Sequence, residues 1–178
     1  MSNHIKSNIA DSILYNLGLI KAGGSITLFD ANLYTFKHSL LDITDSPKDY
    51  ENFTEYPACN ILYGKDRCDN QRNGILQVTG QNRQILENVF ELYIHAFGIS
   101  ETPRQWCDDM LADIQAVFGT NYQLQGSDGK DTAFTSVYAE SEPFILKTTK
   151  PNCAIEVTYE VRYRQRREDP TEKVNTPS

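Results

Sequence analysis

Three side chains capable of acid–base chemistry alternate along one segment of the chain: Glu91, Tyr93 and His95. A period of two places them on one side of a β-strand. A histidine beside a carboxylate has the make-up of a general base. No motif places a serine or cysteine nucleophile with them, however, and three histidines in the whole chain give little material for a triad. We therefore interpret these residues as part of a surface or a subunit interface.

Three carboxylates form a second candidate group, Asp108, Asp109 and Asp113. They could hold a metal ion or act as acids and bases. They fall in a helical pattern, which predicts that they lie opposite an apolar stripe containing Trp106 and Met110. Asp108 would also be favoured near the positive amino end of that helix. We expect a solvated helix face rather than a site.

A basic cluster ends the last patterned segment of the chain: Arg162, Arg164, Arg166 and Arg167. One interpretation is a solvated strand face balanced by nearby Glu and Asp residues, which contributes little to stability. The other is that these arginines form salt bridges with a neighbouring subunit or a partner protein, because the planar guanidinium favours bidentate pairing. On the second interpretation, reversing Arg162 and Arg164 to Glu reduces assembly without unfolding the monomer.

The rest of the sequence gives little support for a metal-binding or phosphate-binding site. The Gly-Ser-Asp-Gly segment at 126–129 lacks the ligand spacing of a calcium hand and the Gly-Lys-Ser/Thr of a phosphate loop, so we interpret it as a turn. The four cysteines are scattered without a CxxC pair and are expected to be buried free thiols: Cys59, Cys68, Cys107 and Cys153. We predict no catalytic residue, metal ion or cofactor.

The strand that must carry the arginines has the clearest pattern in the chain. From Cys153 to Tyr163 every second residue is apolar or aromatic, and those between are mostly polar. This alternation predicts a long strand with one face on a core. The preceding strand, over 135–146, is too close for a parallel crossover, so the two should form an antiparallel hairpin.

Other elements follow from the same periodicities and from Gly and Pro signals. The Glu91–His95 segment falls in a strand, and the aspartates fall in a helix that Thr102 caps, Pro103 opens and Gly119 ends. The further predicted elements are a helix over 8–20, a strand over 25–29, an extended segment over 33–36, an apolar segment over 58–63 and the strand over 86–97. We predict an α+β fold: an antiparallel β-sheet with two α-helices packed on one face, plus extended loops.

The domain organisation is simple. Residues 1–169 are expected to form a single domain, followed by a disordered tail over 170–178. Two polar loops, Lys65–Asn73 and Gln123–Thr132, are predicted to be mobile and to contact neighbouring molecules.

Composition and charge limit the class of protein. The 178 residues carry a formal net charge of −7, with a sequence pI of about 4.9. This balance argues against a general nucleic-acid binder. The amino terminus lacks the apolar run of a signal peptide, and no window reaches the length of a membrane helix, so we expect a protein kept in a reducing, cytoplasm-like compartment.

The order and spacing of several segments carry a family resemblance. They are Tyr56–Gly64, the strand that ends with Glu-Leu-Tyr-Ile-His-Ala-Phe-Gly at 91–98, the helix segment 106–114 and the closing strand through Asp169-Pro170. Together they resemble the tail terminator, or tail completion, proteins of long-tailed bacteriophages. The resemblance covers most of residues 7–170 and departs from the simplest members through long inserts around 30–55 and 120–132.

The resemblance implies a structural virion protein without enzymatic activity or cofactor. It implies a homo-oligomeric, hexameric ring that ends growth of the tail tube and joins the tail to the head–tail connector or neck. Its partners would be the tail tube protein, the connector and, in a contractile tail, the sheath protein. DNA would pass through its channel without sequence-specific binding. The protein would be assembled in the host cytoplasm and found in the tail and neck region of the virion, without contact with a membrane.

Two alternatives stay open at this point. The first is another small neck or head-completion protein. The second, from a different class, is a small metal-dependent hydrolase or nuclease that uses Glu91, His95 and the helix aspartates.

Overall fold

The computed structural model describes residues 5–68, 75–77, 84–133 and 135–166. It contains two α-helices, α1 (Ile5–Gly18) and α2 (Pro103–Thr120). The strands are β1 (Ser25–Thr27), β2 (Leu33–Thr35), β3 (Asp42–Thr44), β4 (Ala58–Cys68), β5 (Ile75–Gln77), β6 (Gln84–Gly98), β7 (Thr135–Ile145) and β8 (Cys153–Arg166). A short 3-10 helix spans Tyr50–Asn52. The α+β fold class predicted from the sequence is confirmed.

The main sheet has the strand order β3-β4-β6-β8-β7, with β5 also paired to β6. The long strands pair antiparallel, and the predicted hairpin of β7 and β8 is confirmed. The prediction of an antiparallel sheet is wrong at one edge, because β3 runs parallel to β4. A parallel neighbour needs a crossover of about a dozen residues, and the segment between Thr44 and Ala58 supplies it. β1 and β2 form a separate two-stranded hairpin.

Helix α1 buries one side at intervals of four residues. Ile5, Ile9, Ile13 and Leu17 are each no more than 2% exposed, as a helix packed by one stripe requires. The helix begins three residues before the predicted start and ends at Gly18, two residues before the predicted end.

Both helices pack on one face of the sheet, as predicted. The main core combines the buried stripes of α1 and α2 with alternate residues of β4, β6 and β8. From the sheet it takes Cys59, Ile61, Phe90, Leu92, Ile94, Ala96, Cys153, Ile155, Val157, Tyr159, Val161 and Tyr163. These are the apolar members of the period-two patterns. The polar members of the same strands therefore lie on the opposite side of the sheet.

Trp106 closes the core at the end of β6. Its indole ring lies over the backbone of Gly98, where an added Cβ would stand 2.3 Å from two ring carbons. The ring also contacts His38 edge-on, with 5.4 Å between the ring centroids. Only glycine fits at position 98, because any side chain there would occupy the space of the indole.

The opposite side of the sheet has a small core of its own. Phe53, Ala58, Phe97 and Ala154 cluster there, with Tyr50, Tyr56 and Leu146 packed against them. The crossover between β3 and β4 brings Phe53 and its tyrosines over this end of the sheet. No periodic pattern in the sequence of this crossover signals that it covers part of the second face.

Among the described residues, neither helix combines the length and the apolar character that crossing a membrane would require.

Candidate interaction face

We define the open face as the side of the sheet beyond this small core on which the described residues pack no helix, centred on Glu91, Tyr93 and His95 of β6 with Glu156 and Glu160 of β8. β6 and β8 pair so that Glu91 lies opposite Glu160 and His95 opposite Glu156. The structure therefore confirms that the three predicted β6 residues share one face, and it brings two further carboxylates beside them.

Each β6 side chain on this face has a close partner. The Tyr93 hydroxyl donates a hydrogen bond to Glu91 Oε2 over 2.5 Å. This bond, together with partial burial and the negative charge of Glu91, raises the pKa of Tyr93, so the hydroxyl stays protonated. His95 Nε2 lies 2.6 Å from Glu156 Oε2. The side chains of His95 and Glu156 are 26% and 35% exposed, so both remain accessible from outside.

Gly64 makes room for the Glu91–Tyr93 pair. A Cβ at position 64 would stand 3.0 Å from Glu91 Cβ and from a carbon of the Tyr93 ring. The residue falls where the register between β4 and β6 shifts, between Tyr63 and Asp66. A β-bulge at a glycine re-aims side chains locally. The sequence showed only that Gly64 ends an apolar segment.

Arg67 of β4 joins two carboxylates that face each other. Directly opposed like charges are unfavourable, and Glu91 and Glu160 are such a pair. Arg67 Nη2 lies 3.5 Å from Glu160 and Nη1 lies 4.0 Å from Glu91. The arginine side chain is 48% exposed, so this bridge is weak and screened by salt.

The basic cluster of β8 is distributed differently from its predicted arrangement. Arg164 Nε donates to Glu87 Oε2 over 3.0 Å, and the two residues are only 8% and 3% exposed. Arg162 lies further out, 3.7 Å from Glu87 and 3.5 Å from Glu160. The interpretation as a solvated strand face is wrong for Arg164, because its partner on β6 is buried with it. The side chain of Arg166 and the whole of Arg167 lie outside the described residues.

The burial of Arg164 makes the double reversal of Arg162 and Arg164 unsuitable as a test of assembly. Reversal of Arg164 to Glu would leave two buried carboxylates side by side, which is strongly destabilising. The double reversal of Arg162 and Arg164 would therefore not leave the monomer intact. The interface role of the arginines stays a prediction, and Arg162 is the position at which it can be tested.

The structure corrects the predicted environment of Asp113. It was predicted on a solvated helix face with Asp108 and Asp109, but it is fully buried. Its carboxylate accepts hydrogen bonds from the Tyr34 hydroxyl at 2.9 Å and from the backbone N–H groups of Lys37 at 3.0 Å and His38 at 2.9 Å. His38 Nδ1 lies 3.1 Å from the same carboxylate.

These contacts decide the protonation of the Asp113 site. Burial alone would raise the pKa of Asp113, but the hydrogen bonds from His38, Lys37 and Tyr34 outweigh it and lower the pKa. Burial and the same carboxylate raise the pKa of Tyr34, so the phenol remains a donor. Asp113 therefore stays ionised and joins α2 to the segment that follows β2.

A signal for this role was present in the sequence. Trp106, Met110, Asp113 and Val117 are spaced by four, three and four residues, which is the spacing of one helix stripe. The other three are buried. A carboxylate within an apolar stripe predicts a buried acceptor. Asp108 and Asp109, by contrast, lie on the outer side as expected, with Asp109 accepting a hydrogen bond from exposed Gln105.

The residues of the hydrolase alternative do not come together. Glu91 and His95 lie on the open face, whereas Asp113 lies between α2 and the segment after β2, on the helix side of the sheet. The described ranges contain no group of three or more His, Cys, Asp or Glu residues arranged to hold a metal ion.

The two predicted contact loops have different outcomes. Lys65–Cys68 belongs to β4 rather than to a loop, and 69–73 lie outside the described residues. The 123–132 segment is held in place: Asn16 of α1 donates to the Gln125 carbonyl over 2.9 Å, and Gln125 bridges to Asp131. The turn at 126–129 is confirmed, with Gly129 at φ +72°.

All four cysteines are free thiols. Cys59, Cys107 and Cys153 are buried as predicted, and burial raises the pKa of each thiol. Cys68 is only partly buried.

Comparison with known proteins gave no relative: no protein-family model matches the chain, and no curated protein matches it.

Proposed function

We propose that the chain is a structural virion protein of a long-tailed bacteriophage, a tail terminator. Copies of the chain form a ring, hexameric as in the family that the sequence resembles. The ring caps the tail tube and joins it to the head–tail connector, and DNA passes through its channel. The proposal rests first on the order and spacing of the segments that carry the resemblance.

The structural feature that best supports the proposal is the open face. It is a sheet surface whose polar side chains are already arranged in pairs, Tyr93 with Glu91 and His95 with Glu156. Side chains held by neighbours lose less conformational freedom when a partner covers them. Such a surface suits contact with another protein, whereas the described candidates for acid–base chemistry lie on opposite sides of the sheet.

Charge is compatible with a conduit for DNA. The net charge of −7 gives long-range repulsion from phosphates, which prevents tight binding of passing DNA. Two arginines of the open face, Arg67 and Arg162, each lie within 4.0 Å of carboxylates there. We therefore expect no retention of duplex DNA at physiological salt.

Electron microscopy tests the proposal. Purified protein is mixed with tail tubes of the same phage and imaged by negative stain, beside protein alone. Rings at tube ends, and tubes that stop elongating, are the expected result. Binding to isolated connectors but not to tube ends would instead favour another neck or head-completion role. Binding to neither connectors nor tube ends would contradict both functions.

A variant pair links the result to the open face. His95→Ala with Glu156→Ala removes a paired, partly exposed contact of that face. The control removes a similar pair on the outer side of α2, Gln105→Ala with Asp109→Ala. We expect the first variant to cap tubes less efficiently and the control to cap them normally, with thermal unfolding shifted by no more than about 4 °C in either. Equal capping by the two would exclude the open face as the contact.

A further inference from the structure

The two edges of the main sheet differ in length and exposure. β3 ends the sheet on one side with three residues, whereas β7 ends it on the other with eleven. An unpaired strand edge is a template for another chain, and proteins usually shorten or cover it. At the start of β7, the Ser136 N–H donates to the Tyr122 carbonyl over 2.6 Å. Residues 137–140 and 142–145 are all exposed.

Apolar side chains stand at the far end of this edge. Phe144 is 40% exposed and Ile145 is 62% exposed, and Pro143 precedes them. A groove of about 540 Å³ runs beside them between β7 and the first turns of α2, lined by Arg104, Cys107, Asp108, Pro143 and Ile145. Adjacent exposed apolar groups on an edge strand mark a contact surface.

Charged residues flank this apolar centre with opposite signs. Glu140 and Glu142 precede it, and Lys147 and Lys150 follow it, all four exposed. In the described part of the chain, none of the four takes part in a salt bridge. The distances along the chain are nearly equal, so a second copy turned by 180° about the centre would place its lysines against these glutamates. The segment is complementary to itself.

We propose that residues 137–150, the β7 edge, form a twofold contact between two copies of this chain. Phe144 and Ile145 of both copies meet at the axis. Glu140 and Glu142 of each copy face Lys147 and Lys150 of the other. Such an isologous contact repeats every interaction twice.

Hydrogen bonds fix the ends of the turn that carries the lysines. The turn that carries them is fixed by Asn152, whose side chain accepts from the Ser100 N–H at 2.9 Å and donates to the Ser100 carbonyl at 2.7 Å. The Leu146 N–H also donates to the Asn152 carbonyl over 3.0 Å. A preformed turn reduces the entropy lost on association.

Side chains rather than backbone hydrogen bonds carry the contact. Pro143 has no N–H to donate, and the register of β7 shifts between Tyr138 and Glu140. Proline and bulges on an edge oppose continuous strand addition. The patch is also small beside the interfaces of stable dimers. The contact is therefore weak and depends on protein concentration.

This contact does not depend on the proposed function. A closed ring is built from heterologous contacts, in which two different surfaces of each copy meet, whereas a twofold contact joins like surfaces. It doubles the mass of whichever species is present at low concentration, monomer or ring. Failure of ring formation and failure of the twofold contact are thus observed separately.

Charge reversal with mixing tests the proposal. One variant carries Glu140→Lys and Glu142→Lys, and the other carries Lys147→Glu and Lys150→Glu. Sedimentation velocity over a concentration series should show the mass of the wild-type species doubling as the concentration rises. For each variant alone, the dissociation constant of the twofold contact should rise on the order of tenfold or more. An equimolar mixture of the two should regain the wild-type doubling, because every opposed pair is again of opposite sign.

The matched control reverses Glu51 and Glu55, two exposed glutamates of the β3–β4 crossover, to Lys; it should associate like the wild type. If the mass does not double at any concentration, the proposal is wrong, and the charged residues serve instead to protect the edge strand from association. Doubling that the reversals do not weaken, or that mixing does not restore, would overturn it equally.

Discussion

Carboxylates on the two sides of the sheet are neutralised in different ways. On the helix side, Asp113 is fully buried and is satisfied by N–H and O–H donors from Tyr34, Lys37 and His38. On the open face, Glu91, Glu156 and Glu160 stay partly exposed and lie near tyrosine, histidine or arginine. The first arrangement holds distant segments together, and the second leaves side chains that a partner can reach. The two environments of the carboxylates therefore separate a structural role from a role in recognition.

The largest effect is expected at Asp113. Asp113→Ala would leave the Tyr34 hydroxyl and the backbone N–H groups of Lys37 and His38 without their acceptor in a partly buried site, at about 3 kcal/mol of unfolding free energy. Denaturant unfolding measures the loss. Asp109→Ala, on the outer side of the same helix, should change stability by less than about 0.5 kcal/mol. Similar losses in the two variants would contradict the distinction between the sides.

The next effect concerns the buried pair of Glu87 and Arg164. Arg164→Met leaves the Glu87 carboxylate without its 3.0 Å partner, and we expect a loss of about 2 to 4 kcal/mol. Adding Glu87→Leu should recover much of it, because two apolar side chains replace the broken pair. A double-mutant cycle measures the coupling. Additive losses would show that the two side chains do not interact in solution.

Acid should weaken the helix side through Asp113. The pKa of Asp113 is lower in the folded than in the unfolded protein, so its contribution to stability is present above the ordinary aspartate pKa of 3.8 and is lost as the pH falls through the lower folded pKa. Asp113→Asn cannot titrate. The difference in unfolding free energy between wild type and this variant should therefore shrink below about pH 4. A difference that stays constant into strong acid would refute the assignment.

The smallest effect on stability is expected on the open face. His95→Ala or Glu156→Gln removes one side of a partly exposed pair, which contributes at most about 1 kcal/mol. Thermal unfolding of the free protein measures this. A loss as large as that of Asp113→Ala would mean that the open face also supports the fold.

The long elements could be predicted because their burial is periodic. One side of each of α2, β6 and β8 packs against the core. The spacing of buried residues such as Met110, Leu92 and Val157 follows from this packing. β3 was missed because three residues carry no period, and its parallel pairing depends on a crossover held by Phe53.

The candidate site was predicted less completely than the fold. Alternation placed Glu91, Tyr93 and His95 together, but it could not give their partners, which depend on the β6–β8 register. Alternation also treated Arg162 and Arg164 alike. Their burial differs because Glu87 lies opposite Arg164 on the neighbouring strand.

Trp106, packed over Gly98 and against His38, is the only tryptophan in the chain. Its fluorescence is therefore an intrinsic probe of the helix side, with no label required. Unfolding, or release of the segment that Asp113 holds beside His38, should change the emission of the indole. Association at the open face, on the other side of the sheet, should leave it nearly unchanged, so one optical signal separates loss of structure from binding at that face.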